Sequence, residues 1–229
     1  RMPKSVPFSI KDEGEIIFNF TTMHLWNKMF RFEFIKEQDI KFKPYRIQED
    51  TGFVIHALSA AKRVTIVKDR LFSYRMNTGT SLTDSLSGDV FAGYLAFKEA
   101  RQKLVERGVY SEKVQRSFAN KALGNCMHFL RKLNSFEGYC KLYEKLVNDN
   151  GFAELDIIDC GADYYYKEKD YDCFCQMMSR KDSFQFLFDF YIETKTTRDK
   201  RLRELRMWKD KARKEKERRI EQEKEIEKL

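Results

Sequence analysis

The sequence has few residues that break helices. It contains only three Pro and ten Gly, a composition that predicts helices joined by short turns. It also lacks an apolar run long enough to span a bilayer, and no secretory signal peptide is recognised, so no membrane-spanning segment is expected. Apolar residues make up 42% of the chain and aromatic residues 14%, which excludes a disordered polymer and predicts a folded core.

The cysteines lack the spacing of a zinc site. Cys173 and Cys175 would share one side of an extended segment, but no second ligand pair follows them. No metal site is therefore predicted, and reduced, mostly buried thiols are expected. The five cysteines are Cys126, Cys140, Cys160, Cys173 and Cys175.

Outside the C-terminal end, the chain carries little net charge. The formal net charge is +8, and residues 198–229 hold fourteen Lys or Arg against nine Asp or Glu. In that stretch basic residues alternate with acidic ones and form no single cationic face. Nucleic acid is therefore not an expected partner.

Residues 1–84 mix short apolar runs with turn signals. Apolar spacing predicts helices over 29–39 and 49–62. Short apolar or β-branched runs predict a strand that enters a helix or loop at 14–20, and two short strands at 63–67 and 71–76.

Residues 85–194 have the apolar period of helices throughout. Helices are predicted from about Phe91, Ser111 and Ser135, and short loops between them predict packing as a bundle. Residues 195–229 form a third region without Gly or Pro. A long, charged, solvated helix is predicted there, with two alternatives: a weak coiled coil, or an arm that contacts a membrane surface or a polyanion.

Six short segments occur in order within the first region. This set resembles the second half of inverting family 2 glycosyltransferases with the GT-A fold, most closely the bacterial enzymes that build capsule, lipopolysaccharide or other surface glycans. The resemblance covers about residues 15–84. It implies an α/β fragment, a partial GT-A domain that is mostly helical with a few short strands, before the all-α region and the long charged C-terminal helix. The segments are WNKMFRFEF (26–34), IKF (40–42), EDTGF (49–53), AAKRV (60–64), LFSYR (71–75) and TSLT (80–83).

The resemblance assigns the acidic pair Glu49-Asp50 to catalysis. Asp50 would be the general base that takes the proton of the acceptor hydroxyl, with Glu49 as its supporting neighbour. A carboxylate suits this task because a sugar hydroxyl is a poor nucleophile until its proton is accepted. The alternative is that the pair only caps the predicted helix and complements its dipole.

The resemblance also assigns binding residues. Trp26 would be the acceptor-side aromatic, stacking on a sugar face; the alternative is core packing beside Leu25 and Phe30. Three further side chains would lie in a loop over the donor diphosphate, and their alternative is a hairpin end with a capped turn. These three are Arg75, Ser81 and Thr83.

The family's nucleotide-binding half, which ends in an Asp-x-Asp motif, has no counterpart in these residues. The divalent metal of the complete enzyme, Mg or Mn, would have its ligands on that half, so this chain alone is expected to bind no metal or nucleotide and to be inactive. The expected partners are a nucleotide-sugar donor and a glycan acceptor. The C-terminal helices could also support self-association or membrane-surface contact.

The expected location is the cytoplasm, with peripheral contact at the inner face of the membrane as a further option. The competing hypothesis is a non-enzymatic helical interaction module. Its basic C-terminal helix would bind a protein or a polyanionic partner.

Overall fold

A computed structural model describes residues 2–69, 71–73, 89–180 and 182–226. Within the last range, only the backbone is described at residues 201, 205, 206, 208, 212 and 214–226. The chain divides into two compact units, Arg1–Lys181 and Asp182–Leu229.

The first unit is built from helices. A short 3-10 helix at Ala162–Tyr164 precedes the last of them. The α-helices of this unit are α1 (Ile10–Glu13), α2 (Phe32–Glu37), α3 (Glu49–Ala60), α4 (Ala92–Glu106), α5 (Glu112–Lys132), α6 (Phe136–Val147), α7 (Gly151–Glu154) and α8 (Glu168–Arg180).

The mostly helical prediction is confirmed, and the predicted helix starts agree closely with the structure. α3 begins at Glu49 as expected, and α5 begins one residue after Ser111. α6 begins after Ser135, whose side chain accepts a hydrogen bond from the Gly138 N–H at 3.2 Å. These boundaries follow the local rules of apolar period and N-capping.

The predicted strands are wrong wherever the structure describes them. Residues 14–20 form consecutive turns, and 71–73 have no regular structure, while 74–76 lie outside the described residues. Among the described residues no sheet forms; the isolated bridge between Phe8 and Val64 has N–H to O distances of 2.9 and 2.7 Å. The run at 14–20 is apolar because Ile17 and Phe18 are fully buried, not because they pair with a neighbouring strand.

The core of the first unit is centred on α5. α3 packs on α4, and α4 packs on α5. Phe118 lies in the middle of this core and makes edge-to-face contacts with the rings of Phe18 and Phe97. The five cysteines are free; Cys126 is buried in α5, and Cys160 is exposed. The core therefore joins the N-terminal segment to the predicted helical bundle within one unit.

The second unit contains a single long helix, α9, at Ser183–Ile226. It continues without a break across 194 and 195, where the sequence texture changes. In the part of the chain that the structure describes, no helix is both long enough and apolar enough to cross a membrane.

Candidate functional site

The candidate site lies where residues 21–30, here called the Trp26 loop, meet the first turn of α3. Asp50 is the second residue of α3, and its Oδ2 accepts a hydrogen bond from the backbone N–H of Leu25 at 3.2 Å. Leu25 immediately precedes Trp26. The structure therefore joins the carboxylate of Asp50 to the backbone of the loop that carries Trp26.

The start of α3 is organised by residues other than the acidic pair. Gln48 is the N-cap residue and has the left-handed φ of 66°. Its Oε1 accepts a hydrogen bond from Thr51 Oγ1 at 2.8 Å, and its carbonyl accepts one from the Thr51 N–H at 3.1 Å. The Gln48 side chain accepts no hydrogen bond from a backbone N–H of the helix. Asp50 is consequently directed to the loop rather than to its own helix, while Glu49 lies beside it in the same turn, half-buried.

Trp26 lies in an exposed stack of three rings. The His24 ring stacks on Trp26 with a centroid distance of 5.3 Å, and the Phe72 ring stacks on it at 5.0 Å. Trp26 is 43% exposed and Phe72 is 55% exposed. The alternative of core packing is therefore wrong for Trp26, although its neighbours Leu25 and Phe30 do pack against a buried cluster that includes Phe53.

Lys28 fixes the shape of the Trp26 loop. Its ammonium group donates to the carbonyl oxygens of Thr22 at 2.6 Å and His24 at 2.7 Å, and to Oδ1 of Asn27 at 2.8 Å. Burial, followed by the charge of Lys121, lowers the pKa of Lys28 to about 8, and the negative charge of Asp50 opposes this shift. Lys28 is thus electrostatically coupled both to the proposed base and to α5.

Helix α5 holds the start of the Trp26 loop through residues that the sequence analysis did not select. Ser117 Oγ accepts the backbone N–H of Phe18 at 3.0 Å, and its carbonyl accepts Asn19 Nδ2 at 2.7 Å. One turn later, Lys121 Nζ donates to the carbonyl of Thr21 at 2.8 Å. Burial lowers the pKa of Lys121 to about 8, with a smaller contribution from the charge of Lys167.

A signal for these residues does exist in the sequence. Ser117 and Lys121 are polar residues four apart, on a helix whose neighbouring positions Phe118 and Ala122 are core residues. Polar residues on a face that borders the core must be satisfied by something that packs there. The pattern does not identify the partner, because the N-terminal segment that supplies it is about a hundred residues away in the chain.

The predicted donor-side residues Arg75, Ser81 and Thr83 lie outside the described residues. Across the ranges that the structure covers, no group of three or more His, Cys, Asp or Glu side chains is placed to hold a metal ion.

His56, on the far part of α3, contacts Arg107 with a 2.7 Å distance between Nε2 and Nη1. Burial, followed by the charges of Arg107 and Lys103, lowers the pKa of His56 to about 4, which favours a structural, neutral imidazole.

Comparison of the chain with protein-family models, with curated proteins and with solved structures gives no match. The proposals below therefore rest on the geometry of the candidate site together with the resemblance of the six ordered segments.

Proposed function

We propose that the first part of this chain is the acceptor side of an inverting, family 2-like hexosyltransferase. It would transfer a sugar from a nucleotide-sugar donor to a hydroxyl group of a glycan or lipid-linked acceptor in surface polysaccharide synthesis. The observation that supports this most directly is the hydrogen bond from the Leu25 N–H to Asp50, which joins this carboxylate to the loop that carries the exposed ring stack of Trp26. A positioned base beside an aromatic platform is the arrangement that acceptor activation needs.

The two oxygens of Asp50 have different roles in this proposal. Oδ2 accepts the Leu25 N–H and so fixes the orientation of the carboxylate. Oδ1 makes no hydrogen bond within the described part of the chain, and it can accept the proton of an acceptor hydroxyl. As that hydroxyl oxygen bonds to the anomeric carbon, the bond from this carbon to the donor phosphate breaks, the nucleoside diphosphate leaves with the bonding electrons, and the proton passes to Asp50.

The ring stack supplies the surface for the acceptor sugar. The exposed face of an aromatic side chain packs against the C–H face of a sugar, and the indole N–H can donate a hydrogen bond. Lys28 holds the loop by donating hydrogen bonds to the backbone carbonyls of Thr22 and His24. The stack is therefore positioned in advance, which lowers the entropy cost of binding.

The donor side of the reaction requires residues beyond those described here. The resemblance assigns the diphosphate to Arg75, Ser81 and Thr83, and this assignment stays a prediction. The described residues do not fit a divalent metal, so we assign no metal ligand and no catalytic step to one in this chain. The nucleotide and the Mg or Mn of the complete enzyme are expected on a nucleotide-binding half.

A second candidate function is a helical interaction module, and α9 is the feature that favours it. Phe184, Phe188 and Tyr191 are exposed large side chains spaced four and three residues apart on this helix, followed by the basic stretch after Arg198. Such a helix could bind a protein or polyanionic partner, or contact the inner face of the membrane from the cytoplasm.

The test of the enzymatic proposal separates folding from catalysis at Asp50. Asp50→Asn keeps an oxygen that can accept the Leu25 N–H but removes the base. We expect a loss of turnover of about 10²- to 10⁴-fold with an unchanged unfolding midpoint. The assay is inverting sugar transfer by the protein that joins these residues to a nucleotide-binding half.

Two further variants complete this test. Glu49→Gln is the matched control in the same helical turn and should retain most of the activity. Asp50→Ala removes both functions of the carboxylate, so it should lose activity and also stability. Full activity of Asp50→Asn would reduce Asp50 to a loop anchor and would leave the interaction module as the better proposal.

A further inference from the structure

Helix α9 carries exposed apolar side chains along one face of its first turns. Phe184, Phe188 and Tyr191 are four and three residues apart, so they share one face of the helix. These three residues, here called the aromatic stripe, are each 51% to 63% exposed. The rings of Phe184 and Phe188 stack with a centroid distance of 6.4 Å. The stripe is therefore a continuous surface rather than a set of isolated side chains.

The opposite face of the same turns is different. Phe186 lies on that side and is only 6% exposed, so this face is the buried one. Asp189 and Glu193 lie about 130° and 170° round the helix from the middle of the aromatic stripe. Asp189 Oδ1 accepts a hydrogen bond from Gln185 Nε2 at 2.8 Å, within its own helix. The acidic residues of these turns consequently do not lie on the face of the aromatic stripe.

Cations continue the line of the aromatic stripe. Lys195 and Lys209 lie within about 30° of it, and no carboxylate oxygen of the described residues lies within 4.0 Å of either ammonium nitrogen. Arg198, nearer the edge, has its Nε 3.6 Å from Oδ1 of Asp199. Residues 195–213 hold nine Lys or Arg against three Asp or Glu. The exposed face therefore passes from aromatic to basic along the helix.

A second copy of the helix fits this face poorly. The alternating spacing of four and three residues that starts at Phe184 leads on to Lys195, Arg198 and Leu202, which are the positions that a helical partner covers. Covering them would take an ammonium and a guanidinium group out of water. The same two cations would lie on the partner helix and would add to this cost.

The surface of a bilayer that contains anionic lipids fits the same face well. Aromatic side chains are favourable at the level of the headgroups, where one end of the residue is apolar and the other is hydrated. Lysine and arginine place their apolar stems along such a surface and keep the charged group among the headgroups. Anionic lipids attract the basic residues, so no cation has to lose its water without a counter-charge.

We propose that α9 binds along the surface of a bilayer containing anionic lipids, with the aromatic stripe at the level of the headgroups. Lys195, Arg198 and Lys209 then contact the negatively charged headgroups. This inference rests on the second candidate function, because it names the partner of α9. It needs no sugar transfer and no residue of the candidate site.

The proposal can be tested with the full chain and vesicles of defined composition. In co-sedimentation, vesicles of phosphatidylcholine with about 30% phosphatidylglycerol should bind the chain about tenfold more tightly than phosphatidylcholine alone. Raising NaCl from about 0.05 to 0.5 M should weaken this binding about fivefold or more, because salt screens the attraction. Equal binding to both kinds of vesicle would overturn the proposal.

A pair of charge reversals on α9 tests which face contacts the lipid. Lys195 follows the aromatic stripe, whereas Lys200 lies about 150° from it, and both are exposed. Lys195→Glu should weaken binding to anionic vesicles about tenfold, and Lys200→Glu, with the same change in net charge, no more than about threefold. Equal losses in the two variants would contradict the proposed orientation.

The role of the aromatic stripe is tested by a second pair of variants. Phe188→Gln should weaken vesicle binding about tenfold, and Met207→Gln, an exposed position about 130° from the stripe, should leave it unchanged. Circular dichroism should show equal helix content in all of these variants, since the replaced side chains are exposed. Unchanged binding of Phe188→Gln would show attraction by charge alone and would overturn insertion of the stripe.

Sedimentation equilibrium of the lipid-free chain distinguishes a second copy from a bilayer. The chain should keep the mass of one copy, 27.5 kDa. A dimer that Phe188→Gln abolishes, together with no binding to anionic vesicles, would assign the stripe to a second copy and overturn the proposal. An active Asp50→Asn enzyme would leave the vesicle measurements unaffected, and a chain that fails to bind vesicles would leave the Asp50 test unaffected.

Discussion

Replacement of Lys121 by methionine should stabilise the protein at neutral pH, which is the opposite of the usual effect of a core-facing substitution. Burial and neighbouring charge lower the pKa of Lys121 from 10.5 to about 8 in the folded chain. A difference of this size corresponds to about 3 kcal/mol of destabilisation when the group is charged. The substitution also removes one hydrogen bond to the Thr21 carbonyl, worth about 1 kcal/mol. The expected net gain is about 2 kcal/mol.

The pH dependence of this gain follows from proton linkage. Between pH 8 and 10.5 the unfolded chain keeps the Lys121 proton while the folded chain has released it, so the stability of the unmodified protein rises with pH in this window. The advantage of Lys121→Met should therefore be complete at pH 7, decline above pH 8 and be gone by about pH 10. The pKa of Lys28 is lowered partly by Lys121, so its recovery in the variant acts in the same direction.

The assay is urea unfolding of the unmodified chain and of Lys121→Met at several pH values from 7 to 10. Lys113→Met is the control, because this exposed lysine lies on the same helix and should shift the midpoint little at any pH. A stability difference between Lys121→Met and the unmodified chain that stays constant from pH 7.5 to 10 would refute the reasoning. So would a variant that is less stable at pH 7.

Two other predictions concern residues other than Lys121. His56 should titrate near pH 4 in an NMR experiment, so the stability that it contributes is lost as pH falls from 6.5 to 4; Arg107→Met should raise its pKa but not restore the ordinary value, since burial is the larger cause. Ser117→Ala should cost about 1 to 3 kcal/mol in urea unfolding by leaving the buried Phe18 N–H without its acceptor, and no loss relative to an exposed control, Ser179→Ala, would contradict this.

Helices were predictable here because their signals are local. The start of α6 depends on Ser135 and on an N–H three residues later, and the starts of α3 and α5 agree with sequence patterns that span a few turns. The strand prediction for the apolar run around Ile17 and Phe18 is wrong because its signal is not local. Its β-like composition reflects burial, and burial in this protein is provided by helix α5, about a hundred residues further along the chain.

The candidate site likewise combines residues that the sequence indicates with contacts that only the tertiary structure shows. The order of Trp26 and Asp50 in the sequence could indicate a shared site only through a resemblance, and the 3.2 Å hydrogen bond from the Leu25 N–H joins Asp50 to the residue before Trp26. Lys121 had no sequence motif at all. Its importance arises from the carbonyl of Thr21 and from the absence of a described carboxylate within 4.0 Å, and both are tertiary facts that no local pattern encodes.

The position of Asp50 at a helix start would ordinarily favour a structural explanation, since carboxylates there are satisfied by the N–H groups of their own helix. In this chain the first turn of α3 uses Gln48 and Thr51 instead, and Asp50 bonds across to the loop. That bond involves Oδ2. It orients the carboxylate plane and thereby the direction of Oδ1. The structural role of Asp50 and its proposed catalytic role therefore do not compete, because they belong to different oxygens. This is why Asp50→Asn, which preserves an acceptor for Leu25, discriminates between the two roles more sharply than any larger change.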